Sequence, residues 1–187
     1  MIIYTVSACP ALVPAPLQID LLSGDEVFSD TYKVKDVGNG LWEIDGALVT
    51  VGNDNIQLEG ANPSAEGEDA DEGMESSGEK KLDLEHNFRW TKIEGLDKKA
   101  YTGDIKKYMK ALVEKLKQIG KSEEDIKEFQ TGAAASVKKI LGNWSNYDVY
   151  KGESLDENGM YILVDYREDG ITPYATIFKH GLSETKV

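Results

Sequence analysis

Residues Asp97 to Trp144 read DKKAYTGDIKKYMKALVEKLKQIGKSEEDIKEFQTGAAASVKKILGNW, the most strongly patterned stretch of the chain. Tyr101, Ile105, Tyr108, Leu112, Leu116 and Ile119 recur at spacings of three and four, the period of a helix with one apolar face. Asp97 is placed to cap its start and Gly120 to stop it. Ser122 opens a second helix, with Glu123, Glu124 and Asp125 at the positive end of its dipole. The second stripe is Ile126, Phe129, Ala133, Val137, Ile140 and Trp144. A connection this short forces the helices antiparallel, so residues 97–144 form an αα-hairpin with facing stripes. Its outer face is rich in lysine, including Lys106, Lys107, Lys110, Lys117, Lys138 and Lys139.

On either side of the hairpin the period changes from helical to strand-like. From Ile19 to Val51, residues such as Val27, Phe28, Tyr32, Val34, Leu41, Trp42, Ile44 and Leu48 alternate with short turns. Gly38-Asn39-Gly40 and Asp45-Gly46 are hairpin signals there. The alternation of Leu82, Leu84, His86, Phe88 and Trp90 predicts a strand over Leu82 to Ile93. After the hairpin, strands are expected over Tyr147 to Tyr150, Met160 to Tyr166 and Tyr174 to Phe178. The order strands, helical hairpin, strands, with no βαβ alternation, implies a single α+β domain with a mostly antiparallel sheet. Between Asn62 and Lys81 the chain has seven acidic side chains and no β-branched or aromatic residue. Such a segment buries too little apolar surface to offset its ordering entropy, and is expected to be a flexible acidic loop.

Charge narrows the function classes. The chain carries 34 acidic and 21 basic residues in 187, a formal net charge of −13. Such a field disfavours specific nucleic-acid binding and anionic membranes, and favours basic partner surfaces and divalent cations. One cysteine, Cys9, and two histidines, His86 and His180, exclude an intramolecular disulfide and a Cys/His zinc cluster, as suits the reducing cytosol. No apolar run approaches the ~18 residues a bilayer span needs, and the opening residues lack the basic flank of a signal peptide.

Nothing in the sequence assembles a catalytic group. Cys9 lies in a proline-rich stretch, His86 is expected to be a structural histidine of a strand, and His180 a solvated turn residue. Gly73 to Lys80 approaches a P-loop but has Glu79 where the lysine belongs. Neither Asn53-Asp54-Asn55 nor Asp156-Glu157-Asn158-Gly159 continues as an EF-hand, so calcium would meet only a loose, weak carboxylate cluster, and no metal ligand can be named. The residues describe a binding protein without cofactor, not an enzyme.

Two stretches carry a family resemblance. GANPSAEGEDA, Gly60 to Ala70, reads like a loop signature of small residues, Asn-x-Ser-x-Glu and acids. YDVYKGESLDENGMYILVDYREDGITPY, Tyr147 to Tyr174, holds an aromatic Gly-Glu segment and a Tyr-Arg-Glu-Asp-Gly-x-Thr-Pro turn. With MIIY at the start, DLLSGDEVFSD from Asp20 and TGAAASVKKILGNW from Thr131, the chain resembles the translationally controlled tumour protein family, its fungal members most. The resemblance implies a β-tent, similar to small zinc-binding Rab chaperones but without their metal. It also implies an abundant cytoplasmic protein, partly cytoskeletal, associated with the translation machinery and with microtubules. Calcium binding and action on small GTPases belong to the same set of implied properties.

Two residues inherit a role from that resemblance. Glu26 and Glu153 match acids implicated in a GTPase contact, where carboxylates near phosphates and magnesium would promote nucleotide release by repulsion. Lys106, Lys107 and Lys110 are the candidates for meeting acidic tubulin, and Ser64 is a candidate phosphorylation site in the acidic loop. The leading reading is a translation-associated, microtubule-stabilising factor, and the alternative is a guanine-nucleotide exchange factor or GTPase chaperone. One departure stands out, a proline-rich insert over residues 5–18 between MIIY and the segment that begins at Asp20. A retained intron and a genuine surface loop are both open as its origin, the latter at small entropic cost.

Overall fold

The computed structural model describes residues 16–51 and 79–185. It is an α+β structure, as expected. Its largest sheet has six antiparallel strands, centred on β10 (Pro173–Phe178) between β4 (Leu41–Asp45) and β9 (Ile162–Tyr166). β3 (Val34–Gly38) flanks β4, while β8 (Asp148–Lys151) and the two-residue β7 (Thr91–Lys92) continue beyond β9. Ala175, Thr176, Ile177 and Phe178 are all buried, as a central strand covered on both faces requires. Asn39 and Gly40 both have positive φ, 54° and 76°, and so close β3 onto β4 with the two-residue turn that Asn-Gly favours.

A second, three-stranded sheet places β1 (Leu17–Asp20) between β2 (Glu26–Ser29) and β11 (Leu182–Thr185). Leu17 and Gln18 of β1 are the last residues of the expected insert, and here they pair with Thr185 and Glu184. Residues 1–15 and 52–78, which hold residues 5–15 of that insert, Cys9, Ser64 and most of the acidic loop, lie outside the described residues. The end of the loop does not follow expectation. Glu79 to Lys81 belong to β6 (Glu79–Leu82), which pairs with β5 (Leu48–Val51) as a separate ribbon. Asp45-Gly46 accordingly does not fold β5 back onto β4, and the Gly46 amide donates to the Pro173 carbonyl instead.

The strand expected over Leu82 to Ile93 is a helix for half its length, α1 (Asp83–Phe88). Leu84 and Phe88 satisfy a period of two and a spacing of four equally, and local hydrogen bonding decides between them. An Asp83 carboxylate oxygen accepts the amides of Leu84 and Ala47, and Arg89 ends the helix in the left-handed region at φ 51°. His86 is therefore exposed on a helix and is not a strand histidine.

The helical hairpin forms as read, from α2 (Lys98–Gln118) and α3 (Glu123–Gly142). Gly120 at φ 76° lets the Lys121 and Gly120 amides return to the Leu116 and Lys117 carbonyls, a Schellman stop. Ser122 caps α3 by accepting the Asp125 amide at 3.1 Å, whereas the Asp97 side chain makes no capping bond to α2. The hairpin also meets the sheet at places the apolar stripes do not announce. Ser136 is buried and donates to the Asn39 carbonyl, and a Cβ at Gly132 would lie 2.6 Å from that oxygen. Phe129 packs edge-on against Phe178 and 5.3 Å from the His180 ring. His180 is thus half-buried and not solvated, and burial pushes its pKa down.

Candidate functional site

The candidate cleft is built from two loops and the end of α1. The first loop, residues 21–25, is held by Asp20, which is 2% exposed. Its carboxylate accepts the amides of Leu22 and Ser23, the Ser23 hydroxyl at 2.8 Å and the Met160 amide at 2.9 Å. The second loop, residues 152–160, is fastened to the first through Asp25. That carboxylate accepts the Ser154 amide at 3.2 Å and the Ser154 hydroxyl at 2.7 Å. Gly152 lies so close beneath Asp25 that any Cβ would collide with its side chain, so only glycine fits there. Lys151, itself buried, donates to the carbonyls of Asp156 and Glu157 and sits 4.6 Å from the centre of the Tyr161 ring. Burial lowers the pKa of its ammonium group. The acidic turn Asp156 to Gly159 therefore has an internal cation from the chain itself.

These anchors bring Glu26 and Glu153, far apart in sequence, to one open cleft of about 390 Å³. Gly24, Asp25, Asn87, Phe88 and Arg89 complete its lining. The Arg89 guanidinium donates to Glu153 Oε1 at 2.9 Å and also feels the charge of Glu26. Both partners are mostly exposed, so the pair orients the side chains and contributes little to stability. Three carboxylates against one guanidinium leave the cleft acidic. Sequence reasoning found both glutamates but missed Arg89, which lies in none of those motifs, and the Asp25–Ser154 latch, whose only signal was a place in the same motifs as the glutamates. Among the described residues no cluster of three or more His, Cys, Asp or Glu side chains is arranged to hold a metal, and no helix is long and apolar enough to cross a membrane.

A family model described as translationally controlled tumour protein matches residues 18–183. The chain belongs to that family. The translationally controlled tumour protein homologue of Aspergillus oryzae is 52% identical over 168 residues, covering 90% of this chain and 97% of that one. The Saccharomyces cerevisiae homologue is 42% identical over the same length, with the same shares covered. Among solved structures, the translationally controlled tumour-associated protein of Schizosaccharomyces pombe is 43% identical, with a TM-score of 0.73 over 92% of this chain and 99% of that one. The Caenorhabditis elegans protein is 26% identical, with a TM-score of 0.66, covering 92% of this chain and 98% of that one.

In this member of the translationally controlled tumour protein family, the other candidate residues lie on the hairpin. Lys106, Lys107 and Lys110 are all exposed on α2, but they are not equivalent. Lys107 pairs with Asp104 at 3.1 Å, and Asp104 in turn accepts the Tyr161 hydroxyl at 3.1 Å. The Lys107 hydrogen bond holds the Asp104 carboxyl below its usual range, while burial pushes the Tyr161 hydroxyl up to about 12. Lys106 and Lys110 make no ion pair with any described residue. With Lys99 and Lys117 they follow helical spacing along one exposed ridge.

Proposed function

We propose that this chain is a non-enzymatic cytoplasmic docking protein that engages a small GTPase through the cleft holding Glu26 and Glu153. The convergence of those two carboxylates, one at the start of β2 and one in the 152–160 loop, is the observation that supports it. Set beside a nucleotide's phosphates and its magnesium, they would loosen both by repulsion and by competition for the ion. Arg89 keeps Glu153 oriented in the free protein and yields it at low cost, because an exposed pair is weak. The test is release of a fluorescent guanine nucleotide from a panel of purified small GTPases. The protein accelerates release, and Glu26→Val or Glu153→Ala lowers the acceleration about tenfold, the equivalent of one good contact. No acceleration across the panel sinks the reading.

A second reading is supported by a different surface. The ridge of Lys99, Lys106, Lys110 and Lys117 is an exposed basic strip on an acidic protein, suited to microtubules or to acidic faces of the translation machinery. Lys106→Glu with Lys110→Glu should lower co-sedimentation with polymerised tubulin several-fold, and added salt should do the same to the unmodified chain. Lys107→Glu alone should do less, because Asp104 already neutralises that side chain. Sedimentation indifferent to both salt and charge reversal contradicts the ridge as the contact.

A further inference from the structure

We infer that Ser154 is a phosphorylation site for a serine kinase that reads acidic residues following its target, and that the phosphate opens the latch joining the two cleft loops. Ser154 lies in Glu153-Ser-Leu-Asp-Glu157, with acids two and three positions on. Residues 153–158 are all exposed and lie between β8 and β9 outside any helix or strand ladder. To extend the segment a kinase must release the Asp25 latch, the Leu155 amide from the Gly152 carbonyl and Lys151 from the Asp156 and Glu157 carbonyls, with no ladder or helix to unwind. Leu155, the next residue, has a φ of 54° and is 47% exposed. Among the described residues, the other two serines with acids both two and three positions on are less available. Ser122 caps α3 and could enter a kinase only with the first turn undone, and Ser23 is half-buried, with its hydroxyl on the buried Asp20 carboxylate.

The chemistry is an ordinary phosphoryl transfer from a nucleoside triphosphate. Ser154 Oγ forms the new bond to the γ-phosphorus, the diphosphate leaves with the bridging oxygen, and the hydroxyl proton passes to the kinase's base. The consequence follows from where that oxygen sits. Its hydroxyl now donates to Asp25 Oδ2 at 2.7 Å, and the ester oxygen can donate nothing. A phosphate carries about −1.5 to −2 charges at neutral pH and would face the Asp25 carboxylate directly. Gly152 leaves Asp25 no room to retreat toward β8, so the loops must part. The phosphate also competes with Glu153, its neighbour in sequence, for Arg89, which prefers a doubly charged partner. Modification thus separates Glu26 from Glu153 and deepens the negative charge between them. That it silences a GTPase contact rests on the function proposed above, while the site and the latch do not.

The experiment uses the full chain with an acid-directed serine kinase and ATP, followed by peptide mapping and amide NMR spectra. Phosphate is expected on Ser154 and absent there in Ser154→Ala. The amides of Asp25, Glu26 and Ser154 should shift in the modified chain, and those of Asp25 and Glu26 should shift similarly in Asp25→Asn, which weakens the same latch without a kinase. Phosphate confined to other serines overturns the inference, and so does phosphate on Ser154 that leaves the Asp25 and Glu26 amides unmoved. Nucleotide release measured in parallel should fall about tenfold on modification. A chain inert toward every GTPase before modification refutes the proposed function instead, and the map and spectra still decide Ser154.

Discussion

Asp20→Ala should destabilise the protein by about 4 kcal/mol, from the loss of several buried bonds to one carboxylate. Four donors converge on that side chain: the amides of Leu22, Ser23 and Met160 and the hydroxyl of Ser23. At 2% exposure, water cannot replace the acceptor without opening the loop. In urea, with a slope of about 2 kcal/mol/M, the unfolding midpoint should fall by roughly 2 M. Asp20→Asn keeps one oxygen but turns an NH₂ group toward the remaining donors, so it should recover less than half of the loss. The defect is local in origin. It frees residues 21–25 from Met160 and with them the register between Glu26 and Glu153, so any cleft activity should fail in Asp20→Asn before the fold does. A midpoint shift under 0.5 M for Asp20→Ala would show that the loop is held by other contacts.

That prediction also measures what sequence could and could not disclose. Periodicity announced the helical hairpin because an amphipathic helix writes its burial into spacings of three and four, and Tyr101, Ile105, Tyr108, Leu112 and Leu116 are all buried. It misread α1 because six residues are too few to separate a period of two from one of 3.6, and the deciding bond runs from Ala47 to Asp83. Ser136 and Gly132 carried no apolar signal, yet they seat the hairpin on Asn39. β11 went unnoticed because Leu182-Ser-Glu-Thr185 is short and half-exposed, and its partner β1 lies far away in sequence. The cleft was legible as two glutamates and illegible as a cleft. Asp20, Asp25, Arg89 and Ser154 come together only through tertiary contacts, and no spacing rule records those.

The family's Tyr-Arg-Glu-Asp-Gly-x-Thr-Pro turn shows the converse, a motif that looks like a site and works as a staple. Asp169 accepts the amides of Ile171 and Thr172 and the Thr172 hydroxyl, and Gly170 supplies the positive φ of 67° that the turn requires. The turn delivers Arg167 across the sheet to strand β4. There its guanidinium forks to Glu43 and Asp45 and lies 3.9 Å from the centre of the Tyr174 ring.

Arg167→Leu should therefore cost about 3 kcal/mol, the lower end for removing one partner of a buried ion pair, since Arg167 and Asp45 keep some exposure to water. In a calorimeter this corresponds to a fall of roughly 9 °C in Tm for a protein of this size. The main cause is Glu43, whose side chain is only 9% exposed and loses its guanidinium. Adding Glu43→Gln to Arg167→Leu removes the stranded charge and should return at least about 1 kcal/mol, a coupling that two independent losses would not show. Arg167→Lys should fall between, because an ammonium group cannot serve Glu43, Asp45 and the Tyr174 face at once. If lysine proves as good as arginine, or the double variant is no better than Arg167→Leu, the forked geometry is not what holds β9 and β10 to β4.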